Sequence, residues 1–300
     1  IDEEDITVFG CSAKYLSALE KVGLSPKQNH DLSSLKQVLS TGSPLSPASF
    51  HYVYQEFKKD LCLSSISGGT DIISCFVLGN PALAVYSGAI QCVGLGMDVA
   101  IYNEEGDAVI GEKGELVCTQ AFPSMPIYFW NDPEKKRYRA SYFKRFPGIW
   151  THGDIGELKP NGGVILSGRS DTVLNPGGVR IGTGEIYRIV DTVSQIMDSV
   201  VVGQAWNGDV RVVLFVQLKA GLCLDEALRI KIKKTIKKEL SPRHAPEKIL
   251  QVQDIPKTLS GKTVELAVNH CIHGKEIKNI DALANPEALE QYKNREELKT

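Results

Sequence analysis

The run of residues from Ser67 to Asp71 combines small, hydroxyl-bearing and acidic side chains that could bind a phosphate. It reads Ser67-Gly68-Gly69-Thr70-Asp71. Glycines let backbone N–H groups approach an anionic ligand, a threonine hydroxyl can donate to a phosphate oxygen, and a carboxylate can hold a hard cation such as Mg²⁺. A Gly-Gly turn capped by an aspartate accounts for the same residues without any ligand. Taken alone, the motif leaves both interpretations open.

Lys262 is the second candidate, within the run Thr258-Leu259-Ser260-Gly261-Lys262-Thr263. Gly-Lys-Thr also ends a phosphate-binding P-loop, but that pattern needs a further glycine at position 256, where this sequence has Pro256. The run is therefore not a P-loop. A lysine in a Ser-Gly loop is still a good phosphate ligand, and a lone surface lysine is the alternative interpretation.

Two turns between these motifs carry a carboxylate and a guanidinium group. Asp154 follows Gly153 after a predicted strand, where it could bind the two hydroxyls of a ribose. Arg169 has a fork of donors that suits hydroxyls or phosphate. Each turn is ordinary by itself, and we interpret His152 as a packing or hydrogen-bonding residue rather than a base.

The cysteines and histidines do not indicate a metal site. Seven cysteines are scattered along the chain without CxxC spacing, which is typical of reduced thiols in a cytosolic protein. His270 and His273 flank Cys271, but no second pair of ligands follows at zinc-finger spacing. We expect these side chains to be structural and the protein to be cytoplasmic.

Parallel strands are predicted to position the first motif. A strand over 35–41 breaks at Gly42-Ser43-Pro44, a helix runs from the Ser46-Pro47 pair to about Asp60, and a second strand covers 61–66. The helix between them predicts that the two strands are parallel. Ligand-binding loops in such sheets follow the carboxyl ends of strands, where both glycine-bearing runs lie.

The expected fold class is α/β, with a change of pattern near Asp171. A parallel sheet and then a β-meander are predicted for residues 1–171, a small α+β domain for 172–285, and a polar, helix-prone tail for 286–300. In the small domain we predict helices from 185 and over 225–240, a final helix, and strands at 199–203, 210–218 and 248–253.

The composition excludes several classes of protein. The chain has 300 residues, a formal net charge of −2 and 42% hydrophobic residues, which indicates a packed globular protein. This charge argues against a nucleic-acid partner, and apolar runs such as Val212–Val216 are too short to cross a membrane. The acidic start Ile1-Asp2-Glu3-Glu4-Asp5 is not a signal peptide, so we expect a chain that begins inside a longer protein.

Seven motifs in this order resemble the adenylate-forming acyl-CoA synthetase superfamily, over residues 35–270. They are Ser-Thr-Gly-Ser-Pro at 40–44, Ser-Gly-Gly-Thr-Asp at 67–71, Gly-Glu-Leu at 114–116, Trp-Thr-His-Gly-Asp at 150–154, Gly-Arg-Ser-Asp at 168–171, Gly-Gly-Val-Arg at 177–180 with Gly-Glu at 184–185, and Pro-Lys-Thr-Leu-Ser-Gly-Lys at 256–262. Leu39–Leu45 and Ile66–Ile72 are most similar to the acetoacetyl-CoA synthetase branch.

This resemblance implies a two-step reaction that uses ATP, Mg²⁺ and coenzyme A. A carboxylate attacks the α-phosphate of ATP to give acyl-AMP and pyrophosphate, and the CoA thiolate then displaces AMP to give a thioester. It also implies that residues 1–171 end a large N-terminal adenylation domain, that a small mobile domain follows, and that Asp171 is the hinge between them.

The same resemblance assigns roles to the candidate residues. Thr70 would bind the α-phosphate, Asp71 would help to hold Mg²⁺, and Lys262 would bridge the carboxylate and the α-phosphate in the first step, which makes Thr70 and Lys262 the expected catalytic residues. Asp154 would bind the ribose hydroxyls with Arg169 nearby. The expected adenine-site residues are Gly42, Ser43, Pro44, Ser67, Gly68 and Gly69. The expected residues for coenzyme A are Gly177, Gly178 and Arg180, with Lys237 as a further phosphate contact.

The acid substrate follows in part from Gly68. Acetyl-CoA synthetases carry a tryptophan where this chain has Gly68, so the resemblance implies room for a longer acid such as acetoacetate or butyrate. The loop that grips the β- and γ-phosphates should precede residue 35 and is not in this sequence. We therefore expect part of an acetoacetate–CoA ligase that does not complete adenylation alone. The alternatives are a ligase for another short- or medium-chain acid and a non-catalytic nucleotide-binding fragment.

Overall fold

The computed structural model describes residues 1–259, 261–277 and 279–300. Ser260 of the lysine motif lies outside the described residues. The chain divides into two compact units, Ile1–Ser167 and Gly168–Thr300. Asp171 lies in the second unit, and its role as the domain boundary stays a prediction.

The first unit combines a parallel sheet with antiparallel strands. Its helices are α1 (Ala13–Lys21), α2 (Pro47–Glu56) and α3 (Lys136–Tyr142). Its strands are β1 (Val8–Ser12), β2 (Gln37–Thr41), β3 (Cys62–Ser65), β4 (Ser67–Gly69), β5 (Ser74–Leu78), β6 (Cys92–Val93), β7 (Val99–Tyr102), β8 (Lys113–Cys118), β9 (Trp150–Leu158) and β10 (Val164–Arg169), which ends just inside the second unit.

The parallel sheet has the order β1-β2-β3, and the predicted parallel pairing of β2 with β3 is confirmed. The side chain of Ser46 caps α2 by accepting from the N–H of Ser49 at 3.1 Å, and Pro47 takes the first helical position, as predicted. Helix α2 ends at Glu56, before the predicted Asp60. Strand β1 and helix α1 were not predicted from the sequence.

Antiparallel pairing builds the rest of the first unit. The orders are β4-β5-β6 and β10-β9-β8-β7, so the predicted β-meander is present. The sequence prediction that 67–71 is a loop is wrong for its first three residues. Ser67, Gly68 and Gly69 form strand β4, because the chain turns back at Thr70–Ile73 and pairs with β5.

The second unit is an α+β fold around a sheet of order β11-β12-β13. Strands β11 (Ile196–Trp206) and β12 (Asp209–Leu218) are antiparallel, and β13 (Lys248–Gln251) is parallel to β12. Side chains alternate between the faces of these strands. Helices α4 (Thr183–Val190) and α5 (Glu226–Glu239) pack on one face, where the predicted core residues Ile232 and Ile236 are fully buried.

The opposite face of this sheet is covered by α6 (Glu265–Ile272) and by the last residues of the chain. We call residues 279–300 the C-terminal segment. It contains short 3-10 turns at Pro286–Tyr292 and Glu296–Leu298, and it buries Tyr292 and Leu298 against the sheet. Its composition is polar, but it is a packed part of the fold. Across the described ranges, we find no helix with the length and apolar character needed to span a bilayer.

Candidate functional site

The carboxyl ends of β2 and β3 place the first two motifs side by side. The register pairs Ser40 with Ser65, and the N–H of Ile66 donates to the carbonyl of Ser40 at 2.9 Å. Gly42-Ser43-Pro44 therefore leaves the sheet beside the start of β4. All three residues of this loop are exposed, so their backbone can be reached by a ligand.

The β4–β5 hairpin carries Thr70 and Asp71 at its turn, and both are exposed. Gly68 lies in this hairpin, where a Cβ atom would stand 2.0 Å from the carbonyl oxygen of Ser74. This close approach of β5 requires glycine at position 68. The room for a longer acid that the resemblance implies at this position stays a prediction.

The carboxylate of Asp71 is held between α3 and β4. The hydroxyl of Tyr142 donates to its Oδ2 atom at 2.6 Å. A Cβ atom on Gly69 would lie 2.0 Å from its Oδ1 atom, so glycine at 69 lets the carboxylate lie back against the strand. The Tyr142 ring is stacked on Trp150, with centroids 3.6 Å apart. The position of Asp71 thus depends on residues that are distant in sequence.

Strand β9 brings Asp154 to the same region. The Cε1 atom of His152 would be 3.0 Å from a Cβ on Gly69, and its Nε2 atom is 3.8 Å from Oδ2 of Asp154. His152 is buried and packs edge-on against Phe76. The structure therefore brings Asp71 and Asp154 into the same region, with the side chain of His152 from β9 lying between Gly69 and Asp154.

Asp71 fits the role of a magnesium ligand. Mg²⁺ is usually held by one or two carboxylates together with substrate phosphates. Within the described part of the chain, no three His, Cys, Asp or Glu residues form a group that would hold a metal. The Asp71 carboxylate is exposed and is oriented by the Tyr142 hydroxyl beside Gly69. Such a carboxylate suits an ion that reaches the site together with a phosphate.

Two side chains of the His270–His273 run make contacts within the fold. The Nε2 atom of His273 accepts from the N–H of Ala205 at 3.0 Å, and its Nδ1 atom lies 2.7 Å from the carbonyl oxygen of Asn269. The thiol of Cys271 is buried and contacts the carbonyl of Leu289.

In the second unit, Lys262 lies in a tight exposed loop. The N–H of Thr258 donates to the carbonyl of Lys262 at 2.8 Å, and the N–H of Lys262 donates back to the Thr258 hydroxyl at 3.1 Å. These bonds fix the backbone of Lys262 and leave its side chain at the surface.

The C-terminal segment pairs with this lysine loop. The N–H of Leu259 donates to Ala282, and the N–H of Ala284 donates to Lys257 at 2.8 Å. The side chain of Asn285 accepts from the N–H of Lys257 at 2.8 Å and donates to Ile255 at 3.0 Å. These supports are not evident from the sequence, because nothing in the residue pattern indicates that the two segments meet.

Gly177 and Gly178 lie in a 3-10 turn at Pro176–Gly178, and both are exposed. Asp209 and Arg243 bind the backbone of Gly177, and neither was predicted. Other candidates for coenzyme A and ribose contacts are at the surface of the second unit: Arg180, Lys237 and Arg169, whose Nε atom is 3.5 Å from Asp171.

Glu265 is a further group that the sequence did not single out. Its Oε1 atom accepts from the hydroxyl of Tyr187 at 2.6 Å, and the hydroxyls of Thr172 and Thr183 also hydrogen-bond to it. Burial raises its pKa more than these hydroxyls lower it. The buried Glu265 carboxyl thus joins the start of the second unit to α4 and α6.

Comparison with known proteins shows which family the chain resembles. Residues 185–262 match the family described as AMP-binding enzyme C-terminal domain. Over 297 residues and 99% of its length, the chain is 57% identical to an acetoacetyl-coenzyme A synthetase of Rhizobium meliloti. The chain belongs to the adenylate-forming acyl-CoA synthetase superfamily.

Within this superfamily, the chain is homologous to the C-terminal part of acetoacetyl-CoA synthetases. It is 47% identical over 300 residues to the Xenopus tropicalis protein. The structure of the Streptomyces lividans acetoacetyl-CoA synthetase covers the whole chain with a TM-score of 0.90 and 40% identity. An anthranilate CoA ligase in complex with anthranoyl-AMP shares the fold, with a TM-score of 0.71 and 22% identity over 86% of the chain and 48% of the ligase.

The chain spans about half the length of the relatives that it matches. It covers 46% of the Rhizobium meliloti protein, 45% of the Xenopus tropicalis protein and 46% of the Streptomyces lividans structure. These matches confirm the α/β fold and the superfamily assigned from the motifs.

Proposed function

We propose that this chain supplies the C-terminal part of an ATP-dependent acetoacetate–CoA ligase. The observation that carries the proposal is the 57% identity with an acetoacetyl-CoA synthetase across both units of the chain. The proposed partners are a small-molecule acid, ATP and coenzyme A. The cytosol is the proposed location, on the pattern of the cysteines.

In the first step, the acid carboxylate attacks the α-phosphate of ATP, a P–O bond forms, and pyrophosphate leaves. At the hairpin turn, the hydroxyl of Thr70 would bind the α-phosphate and the carboxylate of Asp71 would help to hold Mg²⁺. The bound ion would lower the negative charge that the attacking carboxylate meets. Asp154 holds the ribose, and the Gly42-Ser43-Pro44 loop and the Ser67–Gly69 strand hold the adenine. The ammonium of Lys262 stabilises the charge that spreads over the reacting oxygens.

In the second step, the CoA thiolate attacks the acyl carbon, a C–S bond forms, and AMP leaves with the electrons of the C–O bond. We assign the Pro176–Gly178 turn to this step, because exposed glycine backbone lets the narrow thiol-bearing arm pass closely. Arg180 and Lys237 supply positive charge for the CoA phosphates, and Asp171 is the proposed hinge.

The test is a chimera in which this chain follows the N-terminal half of the Rhizobium meliloti relative. Pyrophosphate release is measured with acetoacetate, acetate and butyrate. We expect a clear preference for acetoacetate, and equal rates with all three acids would contradict the proposed substrate.

Lys262→Ala in this chimera separates the two steps. Acyl-AMP formation should fall by about a hundredfold or more, because the charge stabilisation is lost. Thioester formation from supplied acetoacetyl-AMP should be nearly unchanged. An equal loss in both steps would show that Lys262 does not act in the first step alone.

A further inference from the structure

Two side chains from distant parts of the second unit bind one glycine of the Pro176–Gly178 turn. Both carboxylate oxygens of Asp209 accept from the N–H of Gly177, each at 3.0 Å. The Nη1 atom of Arg243 donates to the carbonyl of Gly177 at 3.0 Å, and it is 3.4 Å from the carbonyl of Pro176. A negatively charged side chain thus binds the backbone N–H of Gly177, and a positively charged side chain binds its carbonyl.

This arrangement depends on glycine at position 177. Gly177 has φ +57°, and a Cβ atom there would lie 2.4 Å from Nη1 of Arg243. The turn has one backbone hydrogen bond of its own, from the N–H of Val179 to the carbonyl of Pro176 at 3.2 Å. Because glycine has the greatest conformational freedom of any residue, the two side chains that bind Gly177 add the contacts that hold it in this conformation.

The two side chains, Asp209 and Arg243, belong to regular secondary-structure elements. Asp209 is the first residue of β12, the middle strand of the β11-β12-β13 sheet, and its Oδ1 atom also accepts from the N–H of Val210 at 2.7 Å. Arg243 is in the 3-10 turn Pro242–His244, which His244 stabilises through a 2.8 Å contact with Ser241. Asp209 thus connects the turn at Gly177 to the β11-β12-β13 sheet.

The charge of Asp209 is maintained at neutral and weakly acidic pH. Hydrogen bonds from Val210 and Gly177, together with the nearby Arg243 guanidinium, lower the pKa of its carboxyl. Both groups are near solvent, so each contact stabilises the turn only modestly. The effect expected of them is on the geometry of the turn and not on the stability of the fold.

We propose that Asp209 and Arg243 are positioning residues for thioester formation, an inference that rests on the proposed function. Neither is assigned to contact coenzyme A or the acyl group. They hold the backbone of Gly177 in the conformation that lets the thiol-bearing arm of coenzyme A pass along it. The sulfur can then reach the acyl carbon as AMP leaves. The acyl-AMP step does not use this turn and is independent of them.

The variants Asp209→Ala, Asp209→Asn and Arg243→Ala test the proposal in the chimera. With acetoacetyl-AMP supplied, Asp209→Ala and Arg243→Ala should each slow thioester formation by about tenfold. Asp209→Asn keeps one acceptor for the N–H of Gly177, so its rate of thioester formation should fall by less. Pyrophosphate release in the absence of coenzyme A should be unchanged in all three. Glu239→Ala, which removes an exposed carboxylate at the end of α5, is the control.

Amide hydrogen exchange in the 300-residue chain provides a readout without activity. Asp209→Ala should raise the exchange rates of Gly177 and Gly178 by about tenfold while β12 stays protected. Unchanged exchange at Gly177, or equal losses in both reaction steps, would overturn the positioning role. If the unmodified chimera makes no thioester but the exchange result holds, the proposed function fails and the hold on Gly177 stands.

Discussion

The hydroxyl of Tyr142 donates a 2.6 Å hydrogen bond to the carboxylate of Asp71, which lies 71 residues earlier in the chain. The aromatic ring that carries this hydroxyl is stacked on the buried Trp150. The orientation of the proposed magnesium ligand thus depends on an aromatic core as well as on its own hairpin. This relationship makes Tyr142 a positioning residue for Asp71.

Tyr142→Phe removes the hydroxyl and keeps the stacked ring. We expect the Mg²⁺ concentration that gives half-maximal pyrophosphate release to rise by about tenfold in the chimera, because a hydrogen bond to a charged group is lost. Thermal unfolding should change little. Tyr138→Phe is the matched control, since the Tyr138 ring packs edge-on against the Tyr142 ring and its hydroxyl donates to the carbonyl of Pro126 instead. The same loss in both variants would refute a specific role for Tyr142.

Gly69→Ala tests the contact between β4 and the Asp71 carboxylate. The new methyl group would meet Oδ1 of Asp71 at 2.0 Å and Cε1 of His152 at 3.0 Å, so the carboxylate has to move. We expect adenylation to fall by about tenfold or more, measured as pyrophosphate release. In Gly10→Ala on β1, the methyl group meets nothing within 4 Å, and activity should be retained.

Asn285→Ala tests the support that the C-terminal segment gives to the lysine loop. The variant removes the acceptor of the Lys257 N–H and the donor to Ile255. We expect acyl-AMP formation to slow by about three- to tenfold, while thioester formation from supplied acetoacetyl-AMP is unaffected. Asn161→Ala removes a comparable turn-capping side chain in the first unit and serves as the control. A loss in the thioester step alone would contradict this role.

Glu265 predicts a pH dependence of the stability of the second unit. Burial raises its pKa above the ordinary value of 4.5, so the folded chain keeps a proton that the unfolded chain has released. The free energy of unfolding should therefore decrease as pH rises from about 4.5 through the raised pKa, and then level off.

Glu265→Gln cannot ionise and should remove this dependence. The measurement is urea unfolding of the 300-residue chain between about pH 4 and pH 8, followed by amide exchange in β12. Glu239→Gln, an exposed glutamate, should leave the slope of the original protein intact. A pH dependence that persists in Glu265→Gln would assign it to another group.

The sequence located the strands and helices whose signals are local. The Ser46 cap, Pro47 at the first helical position and the stripe of Ile232 and Ile236 depend on neighbours within a few residues, and the structure has them as predicted. The parallel pairing of β2 and β3 also followed, because a crossover helix leaves one orientation for the second strand.

The features that the sequence did not show depend on contacts between distant segments. Strand β4 forms because β5 approaches Gly68 closely, and the residue types alone are equally typical of a loop. Tyr142 binds Asp71, which is 71 residues away in the chain, and Arg243 binds Gly177, which is 66 residues away. Their own neighbourhoods in the sequence contain no motif, so only the folded structure shows their targets.

The match to the AMP-binding enzyme C-terminal domain stops at residue 262, whereas the apolar face of the β11-β12-β13 sheet is completed by side chains beyond it, among them Val268, Tyr292 and Leu298. A gene fragment cut at the end of that match would expose Val213 and Phe215 to water. Such a trimmed protein is expected to aggregate during expression, so laboratory versions of this domain need their final 38 residues.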